Sequence, residues 1–242
     1  MNPLRRWAEQ QRFHPGLLGW VVNPFYLARR GLARELRPLV GRLSGDVLDV
    51  GCGRKPYRAW VAATRYVGVD IDTPETRSLG AADVYYDGRV LPFGDATFDA
   101  VVCSQVLEHV FQPEEFLSEI RRVLRPGGKL VLAVPFVWDE HEQPRDFARY
   151  SSFGVRDLLE RCGFEVVEHR KSVADARVIA QLAAGWLFKV TRSRSRVLNA
   201  VAQLALIAPT TVAGGVLACV LPGNPDLYLD NVVLARKPER RS

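Results

Sequence analysis

The chain has 242 residues, of which 48% are hydrophobic and 25% charged, with a net charge of +6. That is enough chain for one large α/β domain with a substantial core, in the composition of an ordinary soluble globular protein. No internal repeat or low-complexity segment interrupts it. The four cysteines, Cys52, Cys103, Cys162 and Cys219, stand far apart without CxxC or Cys/His spacing, so neither a disulfide framework nor a zinc site is expected. Met1 to Arg12 is polar and basic with no apolar centre of the signal-peptide kind, and a cytoplasmic location is the expectation. The charge is uneven: residues 1–45 sum to +6, residues 46–191 to −4 and residues 192–242 to +4. Basic ends of this kind suit an anionic surface such as a membrane or a phosphorylated ligand. Nucleic acid is not expected, because no aromatic-interleaved basic motif accompanies the charge.

Residues 1–45 read as an amphipathic helical arm. Its apolar set is Phe13, Leu17, Leu18, Trp20, Val21, Phe25, Tyr26 and Leu27, broken by Pro15 and Pro24. A helix near Arg29 to Val40 leads into the stretch Val47 to Tyr57, an apolar strand that ends in Asp49 and the glycines Gly51 and Gly53. Glycine there permits positive φ and lets a ligand approach the backbone. A short helix over Tyr57 to Ala63 is expected next, then a strand over Tyr66 to Asp70 and another over Val84 to Asp87, both ending in an acid. Phe98 to Ser104 reads as a fourth strand. Pro113 to Leu124 reads as a helix, with Glu114 and Glu115 in its first turn and Arg121, Arg122 and Arg125 at its end. Lys129 to Val134 is a fifth strand, Gly154 to Cys162 a helix and Phe164 to His169 a sixth strand. Tyr228 to Arg236 is the last.

Strands and helices alternating at this length predict a parallel sheet with helices on both faces. The expected organisation is a helical N-terminal arm (1–45), a nucleotide-binding core (46–171), a hydrophobic helical insertion (172–227) and the last strand with a basic tail (228–242).

Six segments in order carry a resemblance: LDVGCG (48–53), VGVD (67–70), DGRVLPF (87–93), FDAVV (98–102), LEHV (107–110) and RVLRPGGKLVLAVP (122–135). Together they resemble class I S-adenosylmethionine-dependent methyltransferases, in the broad group that includes the ubiquinone-biosynthesis enzymes. The resemblance implies a Rossmann-like, doubly wound, seven-stranded sheet, mostly parallel with an antiparallel last strand, and S-adenosyl-L-methionine as cofactor. It implies that Gly51 and Gly53, with Cys52 between them, pass under the methionine part, with Asp49 close by. Asp70 would hold the ribose hydroxyls, followed by Ile71; Asp87 and Gly88 would bind the adenine, and Ser104 would lie near the sulfonium. Asp72 competes with Asp70 for the ribose, and Lys55 stands where the family often has a third glycine. A dinucleotide is the rival ligand, since Gly51-x-Gly53 also begins that fingerprint, but its sixth position is Pro56 rather than Gly or Ala.

Methyl transfer needs alignment and exclusion of water more than a catalytic triad. The acceptor side is expected in the loop Pro135 to Tyr150, which begins at a strand carboxyl end and is dense in charge and aromatic residues. Its H-E-x-P-x-D-F-x-R-Y pattern resembles enzymes of glycan and lipid pathways. His141 is the first choice for a base, because imidazole titrates near neutrality. Glu142, Asp146 and His109 follow, with Arg145, Arg149 and Tyr150 as substrate-binding candidates; a salt-bridged lid is the structural alternative. His14 and His169 read as structural.

In the insertion, Val197 to Leu221 carries no charge and follows Arg192, Arg194 and Arg196. Its twenty-five residues could span a bilayer, but it reads better as two helices around Pro209, either packed over the substrate site, forming a homodimer face, or making peripheral membrane contact through 178–221, with a transmembrane helix as the last alternative. The overall expectation is methyl transfer to an oxygen of a small-molecule, glycan or lipid-linked acceptor. A catalytically inactive assembly or regulatory protein and a membrane-recruited scaffold are the rival classes.

Overall fold

The computed structural model describes residues 15–16 and 18–239, so Phe13, His14 and Leu17 lie outside the described residues. Seven strands form one sheet in the order β3-β2-β1-β4-β5-β7-β6, and β7 is its antiparallel member. They are β1 (Ser44–Val50), β2 (Ala62–Ile71), β3 (Val84–Tyr86), β4 (Phe98–Ser104), β5 (Leu124–Pro135), β6 (Glu165–Lys171) and β7 (Asp230–Arg236). β1 runs parallel to β2 and to β4, β2 to β3, and β4 to β5. The central strands are continuous apolar runs because both faces of a parallel sheet are covered. Val47, Leu48, Val50, Val101, Val102, Leu130, Val131 and Leu132 are all fully buried. The expected fold is therefore present, with β2 and β5 longer than the sequence suggested. β5 takes in Pro126-Gly127-Gly128, and Gly127 supplies a φ of +78° while its N–H donates to the Lys237 carbonyl.

Helix Pro113–Val123 buries Phe116, Leu117, Ile120 and Val123, the spacing of one helical face. Tyr57 to Ala63 forms no α-helix: Arg58–Trp60 is a single 3-10 turn, and β2 has already begun at Ala62. Pro74–Leu79 is a helix without an expectation; Thr73 caps it in a reciprocal arrangement with Thr76.

The chain divides into two compact units. One comprises residues 35–136, 140–170 and 231–242 and contains the strand ends described below. The other comprises, among the described residues, 15–16, 18–34, 137–139 and 171–230. In it, Gln181 is buried and ties two backbone segments, accepting from Ala28 N–H at 3.0 Å and donating to the Pro24 carbonyl at 2.9 Å. The expected pair of helices around Pro209 is instead one helix, Arg196–Val220. It continues because Gln203–Ile207 widens into a π turn. Proline lacks an N–H and its ring crowds the carbonyl one turn back. A wider turn just before it relieves that crowding without ending the helix.

Candidate functional site

Sheet register sets the site. Val50 at the end of β1 lies beside Val69 of β2 and Cys103 of β4, and Ser104 lies beside Ala133. The carboxyl ends of β1, β2 and β4 thus meet where the strand order reverses, the usual ligand crevice of an open α/β sheet. Gly51 and Gly53 follow with φ of +67° and +48°. A Cβ on Gly51 would meet Val106 Cγ2, whereas one on Gly53 would meet nothing within 4 Å. The first glycine is required by packing, and the second faces open space that a Cβ would enter.

Asp70 closes this turn from β2: its Oδ2 accepts the Gly53 N–H at 3.0 Å and its Oδ1 the Ile71 N–H at 2.9 Å. Burial raises its carboxyl above the ordinary range, against those two N–H donors. Asp49 is 2% exposed and accepts the Tyr66 hydroxyl at 2.7 Å. Burial pushes its carboxyl up to about 7; the Tyr66 bond opposes this, Asp70 adds to it and Lys55 opposes it. Cys52 is buried, and burial with the nearby Asp49 and Asp70 raises its thiol to about 12, so it is no nucleophile. Ser104 Oγ lies 3.2 Å from the Tyr57 hydroxyl.

Asp87 lies just past β3, its Oδ1 accepting from Arg89 and Val90 N–H at 2.9 and 3.3 Å, with Gly88 beside it at φ +85°. The competing acid Asp72 is held by both nitrogens of the Arg77 fork, which depresses its carboxyl. Lys55, in the place of the third glycine, itself adopts φ +54° and its Nζ reaches Asp83 at 2.7 Å. The turn therefore keeps a glycine-like shape with a lysine that is anchored at its tip.

The acceptor-side residues form a second cluster. Asp146 accepts both Arg149 nitrogens, at 2.6 and 2.7 Å, and the His141 N–H at 2.9 Å. The Arg149 guanidinium holds its carboxyl well below the usual range. His141 Nδ1 stands 3.4 Å from Asp146 Oδ2. His109 packs edge-on against His141 with ring centroids 4.9 Å apart, and its Nδ1 bonds the Arg145 carbonyl at 2.5 Å. His109 Nε2 is 3.8 Å from Glu108 Oε1 and 3.8 Å from Glu142 Oε2. His169, read as structural, pairs with Asn231 of β7 at 2.9 Å, and Asn231 also donates to the Tyr150 carbonyl.

Sequence reasoning missed Tyr66, Tyr57 and Glu108. Tyr66 and Tyr57 flank the quoted motifs, but only the register shows that they reach Asp49 and Ser104. Glu108 lay inside a quoted motif, yet its complete burial beside His109 depends on how the turn after β4 folds.

Residues 48–132 match the family described as Methyltransferase domain. A protein of Mycolicibacterium smegmatis described as a probable S-adenosylmethionine-dependent methyltransferase is 34% identical over 142 residues, covering 53% of this chain and 55% of that one. An O-methyltransferase of Penicillium expansum is 30% identical over 163 residues, covering 57% and 58%. The chain spans about half the length of the curated relatives it matches. Among solved structures, a methyltransferase of Archaeoglobus fulgidus superposes with a TM-score of 0.54 at 18% identity over 96% of this chain and 99% of that one. A 1,6-didemethyltoxoflavin-N1-methyltransferase of Burkholderia thailandensis, with S-adenosylhomocysteine bound, gives 0.51 at 20% identity over 98% and 88%. These structural likenesses establish the fold.

Proposed function

We propose that the chain, whose residues 48–132 match the Methyltransferase domain family, is a class I S-adenosylmethionine-dependent methyltransferase that methylates an oxygen of a small-molecule, glycan or lipid-linked acceptor. The observation that carries this reading is the turn at Gly53, open above the backbone and closed from the side by the half-buried Asp70. The cradle fits S-adenosylmethionine: Gly51, Cys52 and Gly53 would line the methionine side, with Asp49 as a buried acid beside a cationic ligand. Asp70 and Ile71 would take the ribose, Asp87 and Gly88 the adenine, and Ser104 the region of the methyl donor. When bound, the cofactor supplies an electrophilic methyl group on a sulfonium.

The acceptor side favours oxygen. A hydroxyl must lose its proton as it is methylated, and a paired-histidine cluster beside Glu142 offers bases for that proton. Asp146, held ionised and locked by Arg149, is better suited to orient His141 than to take a proton itself. Relatives named as O-methyltransferases in two fungi support the same choice.

Calorimetry with S-adenosylmethionine tests the reading. Asp70→Ala removes a half-buried acceptor of charge-assisted hydrogen bonds, worth about 1.5–3 kcal/mol, so affinity should fall roughly tenfold to a hundredfold. Equal affinity in wild type and Asp70→Ala would refute the ribose assignment. Binding without transfer of labelled methyl to any acceptor in extracts would favour the inactive, regulatory class instead.

The cytoplasm, at a membrane surface, is the location this reading assigns. Helix Arg196–Val220 is apolar, with a mean hydropathy of 1.7 over its best window and only 22% of that window buried, and arginines flank its start.

A further inference from the structure

We propose that Glu108, His109 and His141 bind a divalent transition-metal ion. One ligand atom from each of the three lies within 4.8 Å of the others. The residues come from two places, the turn Leu107–His109 after β4 and the loop after β5, so no contiguous spacing marks them in the sequence. Within the structure their chemistry is coherent. The Arg145 carbonyl can only accept, so the His109 nitrogen that bonds it, Nδ1, carries the proton. Nε2 is then left with its lone pair, and it points between Glu108 and Glu142, each 3.8 Å away. A backbone carbonyl that fixes the tautomer of a histidine from behind is the common outer support of a metal-binding imidazole. His141 Nδ1 lies 3.4 Å from both Asp146 Oδ2 and Arg149 Nη2, and that ion pair holds the ring in place beside His109.

Glu108 supplies the charge. Its side chain is fully buried and lies 3.8 Å from His109 Nε2, so it brings a carboxylate oxygen to the imidazole pair in a site shielded from water. A divalent ion takes such a carboxylate together with neutral imidazoles as ligands. Two imidazoles and a carboxylate suit zinc, manganese, iron or cobalt better than calcium or magnesium, which prefer all-oxygen sites. The thiols Cys52 and Cys103 are buried in the strand ends and are no part of the set. Glu142 is exposed and reaches the same His109 nitrogen, so it can complete the shell or give way. An ion held by three protein ligands keeps positions open for an incoming oxygen. The turn Leu107–His109 follows β4 directly, three residues past Ser104 at that strand's carboxyl end. Resting on the methyl-transfer reading, the loaded ion would replace the imidazoles, whose lone pairs it occupies, as the activating group: it would anchor the acceptor by an oxygen and lower the pKa of its hydroxyl.

Ion binding is measured without any acceptor. The full chain is stripped with a chelator, reloaded with Co²⁺, Mn²⁺ or Zn²⁺, and assayed for metal content and for the visible absorption of bound Co²⁺. S-adenosylmethionine affinity is followed in parallel by calorimetry. About one ion per chain is expected in the wild type. His141→Ala should weaken the ion roughly tenfold or more and leave cofactor affinity unchanged. Glu108→Gln should do the same; should that variant fail to fold, His141→Ala carries the test alone. A wild type that binds cofactor but no ion overturns the proposal and leaves the proposed function standing. Ion binding equal in wild type and His141→Ala also overturns it, because the ion then sits elsewhere. Ion binding that depends on His141, without cofactor binding, upholds the metal site and removes the methyl-transfer reading instead.

Discussion

Asp49 shows how burial of a single residue couples the stability of the fold to pH. A carboxyl with an ordinary value near 4 is held by burial at about 7. Between those values the unfolded chain has released the proton while the native chain retains it. The native state binds more protons, so stability falls as pH rises through this window and levels off above the folded value. The native penalty above neutrality is at most about 4 kcal/mol for a shift of this size. Asp49→Asn keeps an acceptor for the Tyr66 hydroxyl and cannot ionise. Urea midpoints of wild type and Asp49→Asn, compared from pH 4 to pH 8, should therefore diverge, with the wild type losing ground as pH rises. Parallel curves would mean that Asp49 ionises in the native state as it does in the unfolded chain. A cationic ligand beside Asp49 reverses the sign locally: it favours the carboxylate, and cofactor binding near pH 6 should release a proton into the buffer.

At the scale of elements, the glycine turn separates stability from binding. Gly51→Ala forces a Cβ into Val106 at a φ of +67°, so it should destabilise the fold by overpacking, by about 1–3 kcal/mol. Gly53→Ala meets no protein atom and carries only left-handed strain, about 1–2 kcal/mol. Its methyl group nevertheless enters the open side of the turn. Thermal unfolding and calorimetry should therefore disagree: Gly51→Ala is the less stable variant, and Gly53→Ala loses the larger share of cofactor affinity for its loss of stability. The order of the core elements was legible because the central strands are apolar runs closed by Asp, Gly, Ser or Pro, and helix Pro113–Val123 carries its acids in the first turn and its arginines in the last. What was illegible came from longer range. Lys55 holding a glycine's conformation needs Asp83, 28 positions later, as its anchor. The helix through Pro209 needs a π turn whose residues, Gln203 to Ile207, contain nothing that announces it. The His109–His141 pair joins two loops that only the sheet register brings together. Local patterning writes elements, while contacts across the sheet's edge write sites.

Taken as a whole, the molecule keeps its charge and its exposed apolar surface in characteristic places. The core residues 46–191 are net negative, whereas residues 192–242 are net positive and include the long apolar helix. Gly214 would place a Cβ against Ala180, so that face of the helix is committed to packing. Val197, Val201, Leu204, Val216 and Val220 are exposed, each more than half of its surface. A contiguous apolar strip of this kind, next to Arg192, Arg194 and Arg196, combines the two forces that hold a helix at an anionic bilayer surface. The two contributions separate experimentally. Converting the three arginines to glutamine removes attraction of about 1 kcal/mol each, so affinity for phosphatidylserine vesicles should drop roughly a hundredfold while affinity for neutral vesicles stays level. Leu204→Glu and Val216→Glu place charge in the strip itself and should abolish sedimentation with both kinds of vesicle. Added salt should weaken wild-type binding to anionic vesicles and leave the arginine variant insensitive. Should all variants sediment alike while still binding S-adenosylmethionine, the strip meets protein rather than lipid, and a second copy of the chain is the partner to examine by sedimentation velocity.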